Sequence, residues 1–326
     1  MTRDVACVLL TNSYPSDIFR LTQDTSPAGF HLVAMSSESD DESGFDPTLV
    51  EYVVAGGKVP IDRTFLAKFP NIKMIHRSGV GLDNLSLDDI QSRDIALYVE
   101  PGINAQAVAE HTVLLLLAVL RQLPAAMAQV KEGNWSRHEL GLGSQELSGL
   151  TVGIVGFGNI GRHVARLLQP FGCEVLHTSR GVKGDNLSQT DGTRQVTLDT
   201  LLENADVVTL HLPLSEETRH IMNRARLFSM KKGSVLVNTS RGLLVDEEAL
   251  YDALKCNHLF GCALDVFGNE PIKNDSPLLS LGSFIGTPHV AGLTRQSLIK
   301  MLGNAMENIR LFEAGLIDEI VAKRLL

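Results

Sequence analysis

TVGIVGFGNIG, residues 151–161, is the stretch that decides the fold. Its first five residues are mostly apolar or β-branched, which predicts a short buried strand. The next six, GFGNIG, have the spacing G-x-G-x-x-G, and an apolar pattern of helical period follows them. Such glycines also occur in plain turns, but the strand before and the helix after favour a dinucleotide-binding unit. The helix N-terminus would offer N–H groups to a pyrophosphate. The residues expected to bind it are Gly156, Gly158, Asn159, Ile160 and Gly161.

The composition is that of an ordinary globular protein, with 326 residues of which 44% are hydrophobic and 21% charged. One core seldom supports this length, so two domains are expected. The net charge of −9 argues against broad nucleic-acid or anionic-membrane surfaces. The N-terminus lacks the apolar segment of a signal peptide, and the longest apolar run, 113–120, is too short to span a bilayer. We therefore expect a cytoplasmic protein.

Neither the four cysteines nor the histidines show the spacing of a metal site, so no metal is expected. The cysteines are expected to pack in the core of a protein from a reducing compartment. The histidines regarded as structural or exposed are His111, His177, His211, His220 and His258.

Predicted strands and helices alternate along the whole chain, which indicates an α/β fold with parallel sheets and crossover helices. Residues 36–48 and 141–149 are expected to be loops, and Pro101-Gly102 a hinge between domains. Strands are expected at 5–10, 31–35, 52–55, 72–75, 95–99, 151–155, 173–177, 206–210, 234–238 and 259–264. Helices are expected at 61–69, 105–120, 198–203 and 294–314, from Pro124 onward, and from an N-cap at Asp246 to about 255.

Two strand ends carry candidate ligand contacts, because open α/β sheets bind ligands at the carboxyl ends of their strands. After the strand that ends near residue 75, the N–H groups of Ser78, Gly79 and Val80 could form a nest for a carboxylate. A plain glycine turn explains this loop equally well. After the second nucleotide strand, Ser179 and Arg180 stand where many such domains have a carboxylate for the ribose 2′-OH. A hydroxyl and a guanidinium favour the 2′-phosphate of NADP, unless Arg180 is simply a solvated loop residue.

Three further motifs follow successive strands: NTSRG at 238–242, DVFGNEP at 265–271 and TPHVAG at 287–292. Reduction of a carbonyl by hydride needs a proton donor, and histidine suits this near neutral pH. A carboxylate beside the histidine would fix its tautomer, and an arginine can hold a substrate carboxylate and polarise the keto oxygen. Alone, each residue is an ordinary loop residue, but together they indicate a redox site. The candidate catalytic residues are Arg241, Glu270 and His289.

The chain resembles the D-isomer-specific 2-hydroxyacid dehydrogenases, a family that includes glyoxylate/hydroxypyruvate reductases and phosphoglycerate dehydrogenases. Seven motifs between about residues 50 and 310 carry the resemblance: RSGVGLDN, PGINAQAVAEHTVLLLL, GIVGFGNIG, HLPLSEET, VNTSRG, ALDVFGNEP and TPHVAG. The resemblance implies a Rossmann-type NAD(P)-binding domain, 102–291, inserted into a flavodoxin-like substrate-binding domain, 1–101 and 292–326. It also implies a homodimer, with contacts through the nucleotide domains and the helix after Pro101-Gly102.

The resemblance assigns roles to single residues. Arg241 would be the catalytic arginine, Glu270 its acidic partner and His289 the acid/base, with Arg241 and His289 also binding substrate. The carboxylate-binding loop would be Ser78, Gly79 and Val80, and Asp265 would contact the nicotinamide carboxamide. Further cofactor contacts would be Leu212, Pro213, Thr218, Thr239 and Ser240.

These features predict NADPH-preferring reduction of a small 2-keto acid, with glyoxylate or hydroxypyruvate favoured and NAD(H) as the other possible cofactor. The alternatives are an NAD-linked dehydrogenase of another D-2-hydroxy acid, phosphoglycerate-like, and a non-catalytic nucleotide-sensing protein similar to family corepressors. Because the chain ends at Leu326, no appended regulatory domain is expected. The substrate side chain is expected to meet residues 52–60, 291–297 and Leu82, whereas Arg295 is expected to face water.

Overall fold

The structure is a computed structural model that describes residues 5–12, 14–35, 45–57, 59–79, 81–179, 189–190 and 192–326. The chain divides into two compact units. Unit 1 consists of Met1–Asn104 and Leu293–Leu326, and unit 2 is the intervening segment Ala105–Gly292. One unit is therefore inserted, in sequence, into the other.

Unit 1 is a six-stranded sheet with helices on both faces. Its strands are β1 (Ala6–Leu10), β2 (Phe30–Ala34), β3 (Val50–Ala55), β4 (Met74–Arg77), β5 (Ala96–Val99) and, from the end of the chain, β14 (Lys323–Arg324). Its helices are α1 (Ser16–Thr25), α2 (Arg63–Lys68), α3 (Leu87–Ser92) and, from the C-terminal segment, α11 (Arg295–Glu313). The strands lie in the order β14-β5-β4-β3-β1-β2, parallel except for β14. The order 2-1-3-4-5 of the five parallel strands is the flavodoxin-like one.

Alternate strand residues of unit 1 bury two separate cores, as a sheet covered on both faces requires. Leu9, Val53 and Ile75 pack with Phe65 of α2 and Ile90 of α3. The intervening residues pack on the other face against apolar side chains of α11. The carboxyl ends of β1, β3 and β4 are therefore neighbours at one edge of a firmly packed sheet.

Unit 2 is an eight-stranded sheet built around the glycine motif. Its helices are α4 (Ala105–Leu120), α5 (Leu123–Lys131), α6 (Arg137–Gly143), α7 (Asn159–Leu168), α8 (Leu198–Asn204), α9 (Arg224–Ser229) and α10 (Glu247–Lys255). Its strands are β6 (Thr151–Val155), β7 (Glu174–Thr178), β8 (Gln189–Thr190), β9 (Thr193–Gln195), β10 (Val207–Leu210), β11 (Ser234–Asn238), β12 (Leu259–Leu264) and β13 (Phe284–Gly286). The order is β13-β12-β11-β10-β6-β7-β9-β8, with only β8 antiparallel among the described strands. Counted from β6, six strands follow the Rossmann order 3-2-1-4-5-6.

The predicted α/β class is confirmed, and helix 105–120 and strands 151–155, 234–238 and 259–264 have the predicted bounds. The prediction that residues 141–149 form a loop is wrong at its start, because residues 141–143 form the end of α6. Wholly parallel sheets are also not observed, since β8 and β14 are antiparallel. Of the predicted loop 36–48, residues 36–44 lie outside the described residues.

Among the described residues, no single helix has both the length and the apolar content to cross a membrane. The consecutive helices α4 and α5 pass that criterion only when taken together, and they are bent by 64° at the break between them.

Candidate active site

The three glycines of the turn after β6 differ in the space around them. Gly156 has φ +99°, and a Cβ there would lie 2.4 Å from the carbonyl oxygen of His211. A Cβ at Gly161 would lie 2.2 Å from the carbonyl oxygen of Gly156, so this glycine allows α7 to pack on the turn. At Gly158, which directly precedes α7, a Cβ would have no protein atom within 4 Å. Two glycines thus serve the protein's own packing, and the third leaves open space at a helix N-terminus, which fits a dinucleotide.

Aromatic and cationic side chains surround this turn. The Phe157 ring stacks on the His177 ring at 3.8 Å between centroids, and the Arg162 guanidinium lies 4.8 Å from the Phe157 centroid. Burial lowers the pKa of His177 and lowers that of His211 to about 3, so both imidazoles are neutral at physiological pH. The described positive charge on this face of the turn therefore comes from Arg162 and not from these histidines.

Some of the further predicted cofactor contacts lie near the glycine turn. The Leu212 side chain would lie 2.9 Å from a Cβ at Gly156, so it borders the glycines directly. Pro213 and Thr218 lie in the next turn, where the Thr218 hydroxyl donates to the Pro213 carbonyl at 2.8 Å. The Ser179 hydroxyl accepts a hydrogen bond of 3.1 Å from Gln195 Nε2. Arg180, the other residue on which the NADP prediction depends, lies outside the described residues.

The three candidate catalytic residues follow three neighbouring strands. The carboxyl ends of β11, β12 and β13 are in register, with Asn238 opposite Leu264 and Leu264 opposite Gly286. The turn after β11 also packs directly on the loop after β12, because a Cβ at Gly242 would lie 1.9 Å from the carbonyl carbon of Phe267. The glycine after Arg241 is therefore required for the two loops to approach each other.

Glu270 and His289 form the central hydrogen bond of the site, 2.7 Å between Glu270 Oε2 and His289 Nδ1. Both side chains remain accessible, with 37% and 50% of their surface exposed. Glu270 Oε1 accepts from the backbone N–H of Phe267 at 3.1 Å, and Glu247 Oε1 of α10 accepts from that of Gly268 at 2.7 Å. Two carboxylates thus fix the loop that carries Glu270. Sequence analysis did not single out Glu247, because an acidic residue in a first helical turn is common.

The backbone at His289 is held in an unusual conformation. Its φ is +55°, in the left-handed region that non-glycine residues seldom occupy. Its N–H donates to the carbonyl oxygens of Asp265 at 2.8 Å and Thr287 at 3.0 Å. The buried Asp265 carboxylate accepts from the Thr287 hydroxyl at 2.6 Å and from the N–H groups of Val290 and Ala291 at 3.0 and 2.9 Å. Asp265 therefore organises the loop that presents His289, and its predicted contact with a nicotinamide stays a prediction.

Arg241 lies between better buried neighbours. Its Nη1 donates to the Ser240 carbonyl at 2.8 Å, and Asn238 Nδ2 donates to the Arg241 carbonyl at 2.8 Å. The Ser240 hydroxyl donates to the Leu210 carbonyl at 2.6 Å. The Thr239 hydroxyl lies 2.9 Å from the hydroxyl of Thr112 on α4. The hydroxyls of Thr239 and Ser240 are thus engaged within unit 2, and their cofactor contacts stay predictions.

The structure describes two of the three residues of the predicted nest in unit 1, and the N–H groups of both have partners within the chain, so the carboxylate contact of this loop stays a prediction. The N–H of Ser78 donates to the Ala55 carbonyl at 3.2 Å, and that of Gly79 donates to the Arg77 carbonyl at 2.8 Å. Gly79 has φ +138°, which turns its N–H back toward the chain. Val80 lies outside the described residues. The Ser78 hydroxyl is buried and has no hydrogen-bond partner within the described ranges, so it is the polar group this loop leaves available.

Arg77, immediately before this loop, is a buried cation that sequence analysis did not select. Its Nε donates to the Gly81 carbonyl at 2.7 Å, and its Nη1 donates to the carbonyls of Ala55, at 3.2 Å, and Gly56. It therefore ties the loop after β4 to the loop after β3. Only its position beside the glycine loop could have indicated it.

Arg295 is paired with Asp17 of α1 at the surface of unit 1, and both side chains are more than half exposed. The Arg295 hydrogen bond lowers the pKa of Asp17 below its usual range. A solvated ion pair of this kind contributes little to stability. Within the described ranges, no three His, Cys, Asp or Glu side chains form a group that could hold a metal ion.

Comparison with known proteins places the chain in a family. The family model "D-isomer specific 2-hydroxyacid dehydrogenase, NAD binding domain" matches residues 113–291. The (S)-sulfolactate dehydrogenase of Chromohalobacter salexigens is 38% identical over 84% of this chain and 92% of its own length. The glyoxylate reductase of Korarchaeum cryptofilum is 36% identical over 78% of this chain and 77% of its own length. A D-3-phosphoglycerate dehydrogenase of Archaeoglobus fulgidus is 36% identical over 77% of this chain, which spans about half of that relative, 47%.

Among solved structures, D-lactate dehydrogenase of Aquifex aeolicus, crystallised with NAD and lactic acid, superposes with a TM-score of 0.81. The two chains are 30% identical, and the match covers 96% of this chain and 97% of that one. The chain therefore belongs to the D-isomer-specific 2-hydroxyacid dehydrogenase family. The predicted enzyme class, an NAD(P)-dependent 2-hydroxyacid dehydrogenase, is confirmed at that level.

Proposed function

We propose that the chain catalyses NADPH-dependent reduction of a small 2-keto acid to the D-2-hydroxy acid, with glyoxylate or hydroxypyruvate as substrate. The observation that carries this proposal is the 2.7 Å hydrogen bond between Glu270 and His289, on loops at the same sheet edge as Arg241. The glycine turn at the end of β6, in the same sheet, fits the dinucleotide. A similar chain named glyoxylate reductase supports the substrate assignment.

Three side chains perform the chemistry of this proposal. The Arg241 guanidinium holds the substrate carboxylate through two parallel hydrogen bonds and polarises the keto oxygen. When bound, the nicotinamide supplies the hydride that adds to C2. His289 gives the Nε2 proton to the oxygen, and its remaining proton on Nδ1 is donated to Glu270. Glu270 therefore fixes the tautomer and the ring orientation.

A second candidate is an NAD-linked dehydrogenase of a D-2-hydroxy acid that carries a further anionic group, phosphoglycerate-like. The observation that favours it is the buried Arg77 cation directly before Ser78 in unit 1. Relatives named for sulfolactate and phosphoglycerate, both with a second anionic group, also support it. Substrate contact by Ser78 would then use its hydroxyl, which has no partner within the described ranges.

The preference for NADPH depends on the end of β7. A carboxylate at this place would repel a 2′-phosphate, and residues 177–180, HTSR, contain none. In an assay of glyoxylate, hydroxypyruvate and anionic-tailed 2-keto acids with both cofactors, we expect kcat/KM to be at least about tenfold higher with NADPH. Arg180→Ala should weaken the binding of NADPH about 10- to 100-fold and that of NADH by less than about twofold, because one charge-assisted contact to the 2′-phosphate is lost.

Arg20→Ala, at an exposed position of α1, is the matched control and should leave the affinities for NADPH and NADH unchanged. Equal effects of Arg180→Ala on both cofactors would contradict the 2′-phosphate assignment. Nucleotide binding without turnover of any 2-keto acid would instead favour the non-catalytic, corepressor-like alternative.

We also propose a homodimer that uses the α4–α6 region. This region exposes several large apolar side chains, and monomeric proteins seldom expose so many together. Trp135 is 82% and Leu142 89% exposed. The other exposed apolar residues here are Leu114, Leu123, Met127 and Val130.

Light scattering should therefore give twice the chain mass of 35.4 kDa. The double variant Trp135→Glu/Leu142→Glu should shift the protein toward the mass of one chain, because two charges would be buried without partners. Val321→Glu, at an exposed apolar position of unit 1, is the control and should leave the mass unchanged. A wild-type protein with the mass of one chain would refute the dimer.

A further inference from the structure

His111, a histidine without a role in the proposed mechanism, contacts the loop that presents His289. It lies in the first half of α4, and 16% of its side chain is exposed. Its Nε2 is 3.1 Å from Thr287 Oγ1 and 3.6 Å from Asp265 Oδ1. The sequence offered no signal for this contact, because 154 or more positions separate His111 from both partners.

The hydrogens of this cluster can be assigned from its partners. The Thr287 hydroxyl has one hydrogen, and its 2.6 Å bond to the Asp265 carboxylate uses it, since a carboxylate only accepts. Toward His111 the same hydroxyl must therefore accept. His111 accordingly carries its proton on Nε2, and the bonds run from His111 to Thr287 to Asp265. Because these hydrogen bonds all run in one direction, they fix the orientation of all three side chains.

This series of hydrogen bonds ends at Asp265, the residue that sets the backbone conformation of His289. The Asp265 carboxylate accepts hydrogen bonds from the N–H groups of Val290 and Ala291. The Asp265 backbone carbonyl accepts one from the N–H of His289. These bonds hold His289 at φ +55°, a conformation that persists only where its surroundings enforce it. The His111 donor fixes the Thr287 hydroxyl, and the fixed hydroxyl fixes the Asp265 carboxylate.

We propose that His111 is a positioning residue for His289, acting through Thr287 and Asp265. The inference rests on the proposed function, because it assigns His111 to the orientation of the proton donor. His111 makes no part of the chemistry itself. From α4, His111 stabilises the segment 287–291. Asp265 is the described buried carboxylate that accepts hydrogen bonds from this segment.

The test combines His111→Phe, which keeps the ring and removes the donor, with His111→Gln, whose Nε2 can replace it. Amide hydrogen exchange in the segment 287–292 reports on the loop without any ligand. His111→Phe should speed this exchange about tenfold and lower kcat about tenfold, with KM and NADPH affinity within about twofold. His111→Gln should restore most of both. His31→Phe, at an exposed position of β2, should leave both unchanged.

Thr287→Val separates positioning from simple packing. If His111 acts through Thr287, the double variant His111→Phe/Thr287→Val should lose no more activity than Thr287→Val alone. Wild-type exchange at 287–292 in His111→Phe, or additive losses in the double variant, would overturn the inference. If the wild-type chain reduces no 2-keto acid, the proposed function fails, and the exchange measurement still decides whether His111 holds the loop.

Discussion

Replacement of His289 is expected to lower kcat for reduction of a 2-keto acid by about a thousandfold, since general acid catalysis contributes about 10²- to 10⁴-fold. The NADPH dissociation constant should change by less than about twofold, because the glycine turn lies on β6 and not on the 287–291 loop. The 2.7 Å bond between Glu270 Oε2 and His289 Nδ1 orients this ring. Pre-steady-state measurement of NADPH oxidation, with binding followed by fluorescence, gives both constants.

The choice of substitution matters because His289 has φ +55°. Alanine is strained there, so His289→Ala could disturb the loop as well as remove the proton donor. Asparagine tolerates this backbone conformation, so His289→Asn isolates the lost proton transfer. His31→Asn, at an exposed position, is the matched control. Turnover of His289→Asn within tenfold of the wild type would remove His289 from the mechanism.

Glu270→Gln should give a smaller loss of kcat than His289→Asn, because the amide keeps an acceptor for the Phe267 N–H. Its NH2 group then faces His289 Nδ1 and can only donate, so the ring loses the acceptor for its Nδ1 proton.

The parts of the fold that sequence predicted to the residue are those with strong and uninterrupted apolar patterns. Helix α4 is apolar nearly all round, and β6, β11 and β12 are buried on both faces, so their composition alone separates them from loops. By contrast, β8 and β14 have two residues each, too few for any periodicity. Helix α6 ends in Gly-Leu-Gly, a sequence that normally indicates a loop.

Within the site, the pairing of Glu270 with His289 was predictable because the carboxyl ends of neighbouring parallel strands share one sheet edge. The contributions of His111 and Glu247 were not, because each comes from a helix whose orientation depends on packing far away in sequence. The hydrogen bonds that the N–H groups of Ser78 and Gly79 make within the chain were not predictable either, for a local reason. The direction of an N–H depends on φ, and the φ of a glycine cannot be inferred from its neighbours.

The second large effect is expected at the glycine turn, where one Gly→Ala substitution should lower NADPH affinity and another should lower stability. Gly158→Ala adds a methyl group with no protein atom within 4 Å, at a φ of −83° that alanine accepts. Thermal stability should therefore be unchanged, whereas NADPH affinity should fall about 10- to 100-fold, because the methyl occupies the place of the pyrophosphate. Gly161→Ala places its methyl 2.2 Å from the Gly156 carbonyl oxygen, so α7 must move away from the turn.

We expect Gly161→Ala to destabilise the protein by about 2–3 kcal/mol, a typical cost of overpacking, and to lower its melting temperature by several degrees. Gly303→Ala in α11, which also has open space around it, is the control for an added methyl group: it should leave NADPH affinity unchanged and raise the melting temperature slightly, because alanine replaces glycine inside a helix. Calorimetry and NADPH titration of the three variants give the comparison. Wild-type NADPH affinity in Gly158→Ala would show that the dinucleotide is not bound at this turn, because nothing else in the described structure opposes that methyl group.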